Sequence, residues 1–262
     1  MLKNCATAED LTGCVMQSCL AEFGALQPGC TQCLAANLSK PLEEIFAACT
    51  TGSAAMSYEG RNGLLLLARR EFASTEHLVL DSFLLRRVVL HATFKDDPTH
   101  THVFCTHLSA ALSEVEYGGK FESWEAEQAA QIDQVLDWMG KVAGDLPAVL
   151  MGDMNCGPAL PPAIAGSFPD NFAKFAAKGY DSPYVSRTGI ECTWCSANSL
   201  VDDADSDQII DHVLIKGLAL LSEVPTAERI LDDMVEVTVN EQVQQTNLSD
   251  HFGIWVHYTE SR

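Results

Sequence analysis

Apolar positions recur with two different periods along this chain, and the change falls near Gly60. Before it, Leu11, Val15, Cys19, Leu20, Phe23 and Leu26 fall at helical spacing, which predicts a short helix. Pro28-Gly29 breaks that pattern. Further short helices are predicted near 31–38 and 41–49, the second with Pro41 suited to its first turn. After Gly60 the apolar runs are strand-sized, at 63–69, 79–85, 86–94, 102–107, 148–151, 207–215 and 252–258. One long helix interrupts them at 123–142, with Trp124, Ala129, Ile132, Val135, Leu136 and Met139 as its apolar stripe. Strands interspersed with a helix predict a layered α/β (α+β) architecture. The change of period divides the chain into a Cys-rich helical segment or insertion, 1–58, and a larger domain, 59–262. Residues 158–162 and 202–207 read as surface loops.

The chain has 262 residues, 47% of them hydrophobic, enough to bury one good core. No apolar run is long enough to span a bilayer, so no transmembrane segment is expected. No basic and apolar leader follows Met1. The formal charge of −20 changes the picture of partners. An acidic surface repels polyanions, and high-affinity duplex nucleic acid would need Lys and Arg contacts that no basic stripe supplies. Anionic membranes are disfavoured on the same ground. A small phosphorylated substrate stays open, because a divalent metal can supply positive charge locally.

The ten cysteines are unevenly placed, with Cys5, Cys14, Cys19, Cys30, Cys33 and Cys49 near the start and Cys105, Cys156, Cys192 and Cys195 later. Their even number and local density favour disulfides and an oxidising compartment, secreted or an organelle lumen. Cys30-Thr-Gln-Cys33 and Cys192-Thr-Trp-Cys195 also have the spacing of a four-thiolate zinc site or a redox pair. Cys105 and Cys156 read as core residues. Asn37-Leu-Ser39 and Asn247-Leu-Ser249 match the short glycosylation pattern.

Four segments place polar residues at the ends of apolar runs. They are Thr106-His107-Leu108-Ser109, Gly152-Asp153-Met154-Asn155, Ile210-Asp211-His212 and Leu248-Ser249-Asp250-His251. Each alone has an ordinary reading: a core histidine, an Asx turn, a strand-end ion pair, a helix cap. Their joint order at strand ends is the specific feature, because rigid strand ends are where active sites are built.

In this combination the chain, over roughly residues 60–258, resembles the endonuclease/exonuclease/phosphatase superfamily. Gly63-Leu-Leu-Leu-Leu-Ala-Arg69 is similar to the family's Gly-apolar-Ser-Arg strand, and Ser123-Trp-Glu-Ala-Glu-Gln128 with Gln131 to the helix after the first histidine. Thr193-Trp194, Asn198 and Asp211 resemble a pattern of its sphingomyelinase-like members. The resemblance implies a four-layer sandwich of two mixed β-sheets flanked by helices. It implies divalent-metal-dependent hydrolysis of a phosphoester, a phosphodiester before a monoester, by a metal-positioned water. By carry-over, Asp153 orients or deprotonates the water and Asn155 donates to a phosphate oxygen. His107 contacts the phosphate or assists the leaving group, oriented by Asp211. Asp250 binds metal or steers a histidine, and His251 is the second imidazole. Magnesium is the implied cofactor, with manganese, calcium or zinc as alternatives. The expected substrate is a small-molecule or lipid phosphoester.

The chain departs from the family in lacking a recognisable strand ending in Asn and a second ending in Gln-Glu, whose Glu is a principal metal ligand. Leu26-Gln27 is followed by Pro28, Asn4 follows no strand, and Glu59 and Asn62 stand in a different context. Three accounts stay open. The chain is truncated at its start, with the Cys-rich segment as an insertion. Or another ligand set, drawn from Glu59, Asp153, Asp250 or a histidine, holds the metal. Or the scaffold serves binding without hydrolysis. An altered ligand set also admits a repurposed metal-hydroxide centre, such as a carbonic anhydrase-like hydratase.

Overall fold

The computed structural model describes residues 33–34, 36–37, 40–50, 56–112, 115–187, 190–201, 206–220 and 226–259. The first predicted helix, Asn4, Leu26-Gln27, Cys5, Cys14, Cys19 and Cys30 lie outside them. The elements in chain order are α1 (Leu42–Thr50), a 3-10 turn (Ser57–Gly60), β1 (Phe72–Val79), β2 (Val88–Phe94), β3 (His102–His107), α2 (Trp124–Ala143), β4 (Ala148–Asp153) and α3 (Pro169–Ala177). There follow β5 (Asp211–Lys216), β6 (Ala219–Leu220), β7 (Ala227–Ile230), β8 (Val235–Val239), β9 (Gln242–Thr246), β10 (Gly253–Val256) and β11 (Tyr258–Thr259).

β1 to β5 form one mixed sheet in sequence order, with β3 and β4 parallel and the other neighbours antiparallel. Alternate residues face opposite sides of a pleated strand. On one side Val89, Phe104, Leu150 and Leu214 pack with Ile132, Val135, Leu136 and Met139 of α2. On the other, Val103, Val149 and Ile215 pack against Leu66, Leu218, Leu220 and Tyr258. The second β-layer is made of short ladders, β7 with β10 and β6 with β11. Helix, sheet and second β-layer are thus the expected architecture, α/β with a mixed sheet.

The long helix forms where its stripe predicts. Ser123 caps it, its hydroxyl accepting from Ala126 N at 3.1 Å, and Gly144 ends it at φ 59°. The stripe continues past its apolar residues into buried Glu127, Gln128 and Gln131. α3 escaped the sequence reading; it lies along α2, tied by Lys174 to Asp133 and by Asn171 to Gln128.

Two strand expectations fail, for one reason. Residues 64–67 alternate in exposure as a strand should, with Leu65 and Leu67 69% and 79% exposed and Leu66 packed inward. They nevertheless form no ladder among the described residues, because alternation supplies a face and not a partner. Residues 80–85 are a buried loop whose Phe83 N–H donates to Glu127 at 2.8 Å, and the edge strand is instead the mostly exposed Phe72–Val79. A strand exposed on both faces has no hydrophobic alternation to betray it. Here pairing to β2 defines it, with a Ser74–Thr93 hydroxyl contact and Phe72 stacked on Phe94.

The cysteines correct one alternative. Cys33 pairs with Cys49, and Cys192 pairs with Cys195. A four-thiolate zinc site built from the two Cys-x-x-Cys spacings is therefore not formed. Cys105 and Cys156 are buried free thiols, as expected of core residues. Both glycosylation-pattern asparagines are buried and in use, Asn37 donating to Cys33 O and Asn247 accepting from Ser199 N.

Candidate active site

The sheet register assembles the site. His107 lies opposite Asp153, and Asp153 opposite Asp211, so one row crosses three strand ends with its side chains on a single face. The close approach of β3 to β4 explains the glycine of Gly152-Asp153-Met154-Asn155. Gly152 adopts φ +135°, and a Cβ there would sit 1.9 Å from Thr106 O. His251 joins from the segment before β10, where its backbone bridges to Trp194.

Side-chain contacts refine the expected roles. His107 Nε2 lies 3.3 Å from Asp153 Oδ2. His251 Nδ1 lies 2.7 Å from Asp211 Oδ2. Asp211 thus hydrogen-bonds to His251, whereas the resemblance pairs it with His107. A carboxylate only accepts, so Nδ1 carries the hydrogen and His251 Nε2 is left for chemistry. Asp153, Asp211 and His251 each offer a ligand atom, all within 4.8 Å of one another. Asn155 makes the Asx turn: its N–H donates to Asp153 Oδ1 at 2.7 Å, at φ 49°. Its Nδ2 donates to Leu108 O at 3.0 Å, tying the His107 and Asp153 strand ends together.

α2 supplies the foundation. Gln128 Nε2 donates to Ser109 O and Asn155 O, while Gln131 Oε1 accepts from Ser109 N. Glu127 accepts from Phe83 N, Ser109 Oγ and Tyr117 OH. On the other flank, Thr193 Oγ1 accepts from Ile210 N at 3.0 Å and Asp211 N at 3.2 Å.

Electrostatics divide the two imidazoles. Burial, with the nearby charges of Arg87 and His251, lowers His107 to about 4, so it is neutral near pH 7. Burial alone would lower His251 too, but its hydrogen bond to Asp211 and the charges of Asp211, Asp153 and Asp250 raise it to about 9. Burial and the Asp211 charge push the Asp153 carboxyl well above the usual range. Arg87, at the foot of β2 and only 6% exposed, partly offsets that, and its charge also reaches Glu127. Arg87 leaves only a faint mark in the sequence, a basic residue entering an apolar strand.

Of the remaining candidates, Asp250 is exposed, accepts from Ser249 Oγ at 3.2 Å and reaches His251 through its charge. It stands outside the three-residue cluster. Glu59 lies in the 3-10 turn, and its side chain is outside the described residues.

No family model and no curated protein matches the sequence. Solved structures do match in shape. SmcL is 14% identical with a TM-score of 0.52, over 71% of this chain and 65% of that one. Sphingomyelinase C from Streptomyces griseocarneus is 15% identical with a TM-score of 0.49, over 71% of this chain and 64% of that one. An endonuclease/exonuclease/phosphatase family protein from Bacteroides thetaiotaomicron is 18% identical with a TM-score of 0.48, over 72% of this chain and 65% of that one. The chain thus spans less than two thirds of the length of each of these neighbours. The likeness is one of fold, and that fold is the endonuclease/exonuclease/phosphatase fold.

Proposed function

We propose that this chain hydrolyses a phosphoester, a phosphodiester before a monoester, with a divalent cation and in an oxidising compartment. The observation that carries the reading is the convergence of Asp153, Asp211 and His251 within 4.8 Å, with His107 against Asp153. The two disulfides support the compartment. Among the described residues no helix is long and apolar enough to cross a membrane.

The donor set fits a metal. Burial, and after it the Asp211 charge, raises the cost of ionising Asp153, and a cation relieves it. Asp153 and Asp211 would hold magnesium or manganese, with calcium or zinc as alternatives, and the His251 imidazole stands beside them. Such an ion supplies positive charge at the phosphoryl oxygens. The side chains do the rest. Asp153, fixed by the Asn155 N–H, orients the attacking water and takes its proton. The water oxygen bonds to phosphorus as the ester P–O bond breaks. His251, held protonated by Asp211, has a proton at Nε2 to give to the departing oxygen. The second amide hydrogen of Asn155 would donate to a phosphoryl oxygen, and His107 would contact the phosphate.

The test is turnover of a chromogenic bis-ester phosphate with added magnesium or manganese. Asp153→Ala and His251→Ala should each lower kcat by roughly 10²–10⁴-fold with folding intact. Near-wild-type rates in either variant would mean the site is misplaced. Absence of turnover and of bound metal in the wild type would sink the hydrolase reading.

A further inference from the structure

The tetrapeptide Cys192-Thr193-Trp194-Cys195 touches both members of the Asp211–His251 pair. Thr193 is fully buried, and its hydroxyl receives the Ile210 and Asp211 N–H groups at the entrance to β5. Its carbonyl receives Phe252 N–H at 2.9 Å, beside His251. The Trp194 ring lies 4.9 Å from the His251 ring, and their backbones form a bridge. The disulfide closes this loop from Cys192 to Cys195. Arg229 donates to Cys192 O at 3.2 Å and lies over the Phe252 ring at 4.4 Å. Asn198, next to the loop, donates to Ser249 O at 2.9 Å. The strand that carries Asp211 and the segment that carries His251 are thus both fastened to one disulfide-closed turn.

We propose that Cys192–Cys195 is a redox-sensitive clamp, with Thr193 and Trp194 as positioning residues that hold Asp211 and His251 in register. The effect on turnover rests on the hydrolase reading; the effect on geometry does not. In the opening step, a small dithiol gives two electrons and two protons to the bridge. The Cys192–Cys195 bond breaks to two thiols, and the reductant becomes its own disulfide. Without the cross-link, the turn gains conformational freedom that Thr193 and Trp194 no longer restrain.

Amide exchange at Ile210 and Asp211 tests the clamp in the oxidised chain, the dithiol-treated chain and Cys192→Ser/Cys195→Ser. Reduction should quicken both amides by about tenfold, the worth of one net hydrogen bond. The double-serine variant should show the fast rate with or without dithiol, which separates this bridge from the other disulfides. On a phosphodiester substrate, reduction should lower kcat on the order of 10²-fold while KM holds, as expected of a misplaced group. Trp194→Phe should keep the rate and Trp194→Ala should lose it. Unchanged exchange at both amides, with Cys192 and Cys195 shown to be thiols by alkylation and mass mapping, overturns the clamp whatever the activity. Quickened exchange in a chain that turns over no phosphoester leaves the clamp standing and overturns the hydrolase reading.

Discussion

Gly152 shows how much a single residue can decide at this site. Its missing Cβ lets β4 approach Thr106 O, and that approach sets His107 beside Asp153. Gly152→Ala would force the strands apart at the row of functional side chains. It should lower stability by about 2 kcal/mol or more, as strain and lost ladder bonds add, and should abolish turnover even where the chain still folds. Urea unfolding alongside kinetics checks both. A second residue-scale prediction concerns the stacked pair His91 and His102, joined by a 2.9 Å hydrogen bond between Nε2 and Nδ1. Burial chiefly lowers both imidazoles below their ordinary value; the charges of neighbouring histidines add to that and Glu76 opposes it. The unfolded chain then binds more protons just below about pH 6.5, so the pair's contribution is full above that pH and lost as pH falls. The urea midpoint should drop from pH 7 to 5, and more shallowly in His91→Phe. Equal slopes in the two proteins would assign the acid loss elsewhere.

At the scale of elements, α2 is where periodicity and chemistry overlap. Its apolar stripe was legible because it repeats, and the stripe's polar end was legible only in part. Glu127, Gln128 and Gln131 occupy buried positions because the loops they face carry backbone groups that need partners. Glu127→Ala would leave Phe83 N, Ser109 Oγ and Tyr117 OH without their acceptor. A loss on the order of 3 kcal/mol is expected, with Glu127→Gln recovering part of it. Equilibrium unfolding distinguishes these variants. Strands were less legible than this helix. Leu64 to Leu67 alternate in exposure without pairing, whereas Phe72–Val79 pairs without alternating. Four consecutive leucines carry no alternation in the sequence, and a ladder partner leaves no mark there either.

For the whole molecule, the −20 charge and the carboxylate pair give one expectation together. An ion that binds the folded site and not the unfolded chain stabilises it by mass action, about 2.7 kcal/mol at a hundred times Kd. Manganese or magnesium should therefore raise the thermal midpoint of the wild type, and Asp153→Asn should remove most of that rise. An identical rise in the variant would place the ion on the acidic surface instead.

The order of segments along the chain already pointed to the fold class, to disulfides and to the candidates His107, Asp153, Asn155, Asp211 and His251, because strand ends and turn residues are local signals. The tertiary structure alone decided which carboxylate faces which imidazole. Asp211 lies 40 residues before His251 in the chain yet hydrogen-bonds to it, and Arg87 enters the field of Asp153 only through sheet register. The same holds for the Cys192–Cys195 turn: its spacing was readable, but its grip on Asp211 and His251 exists only once β5 and the segment before β10 are brought to one edge. Local pattern selects residue types, and long-range pairing selects their partners.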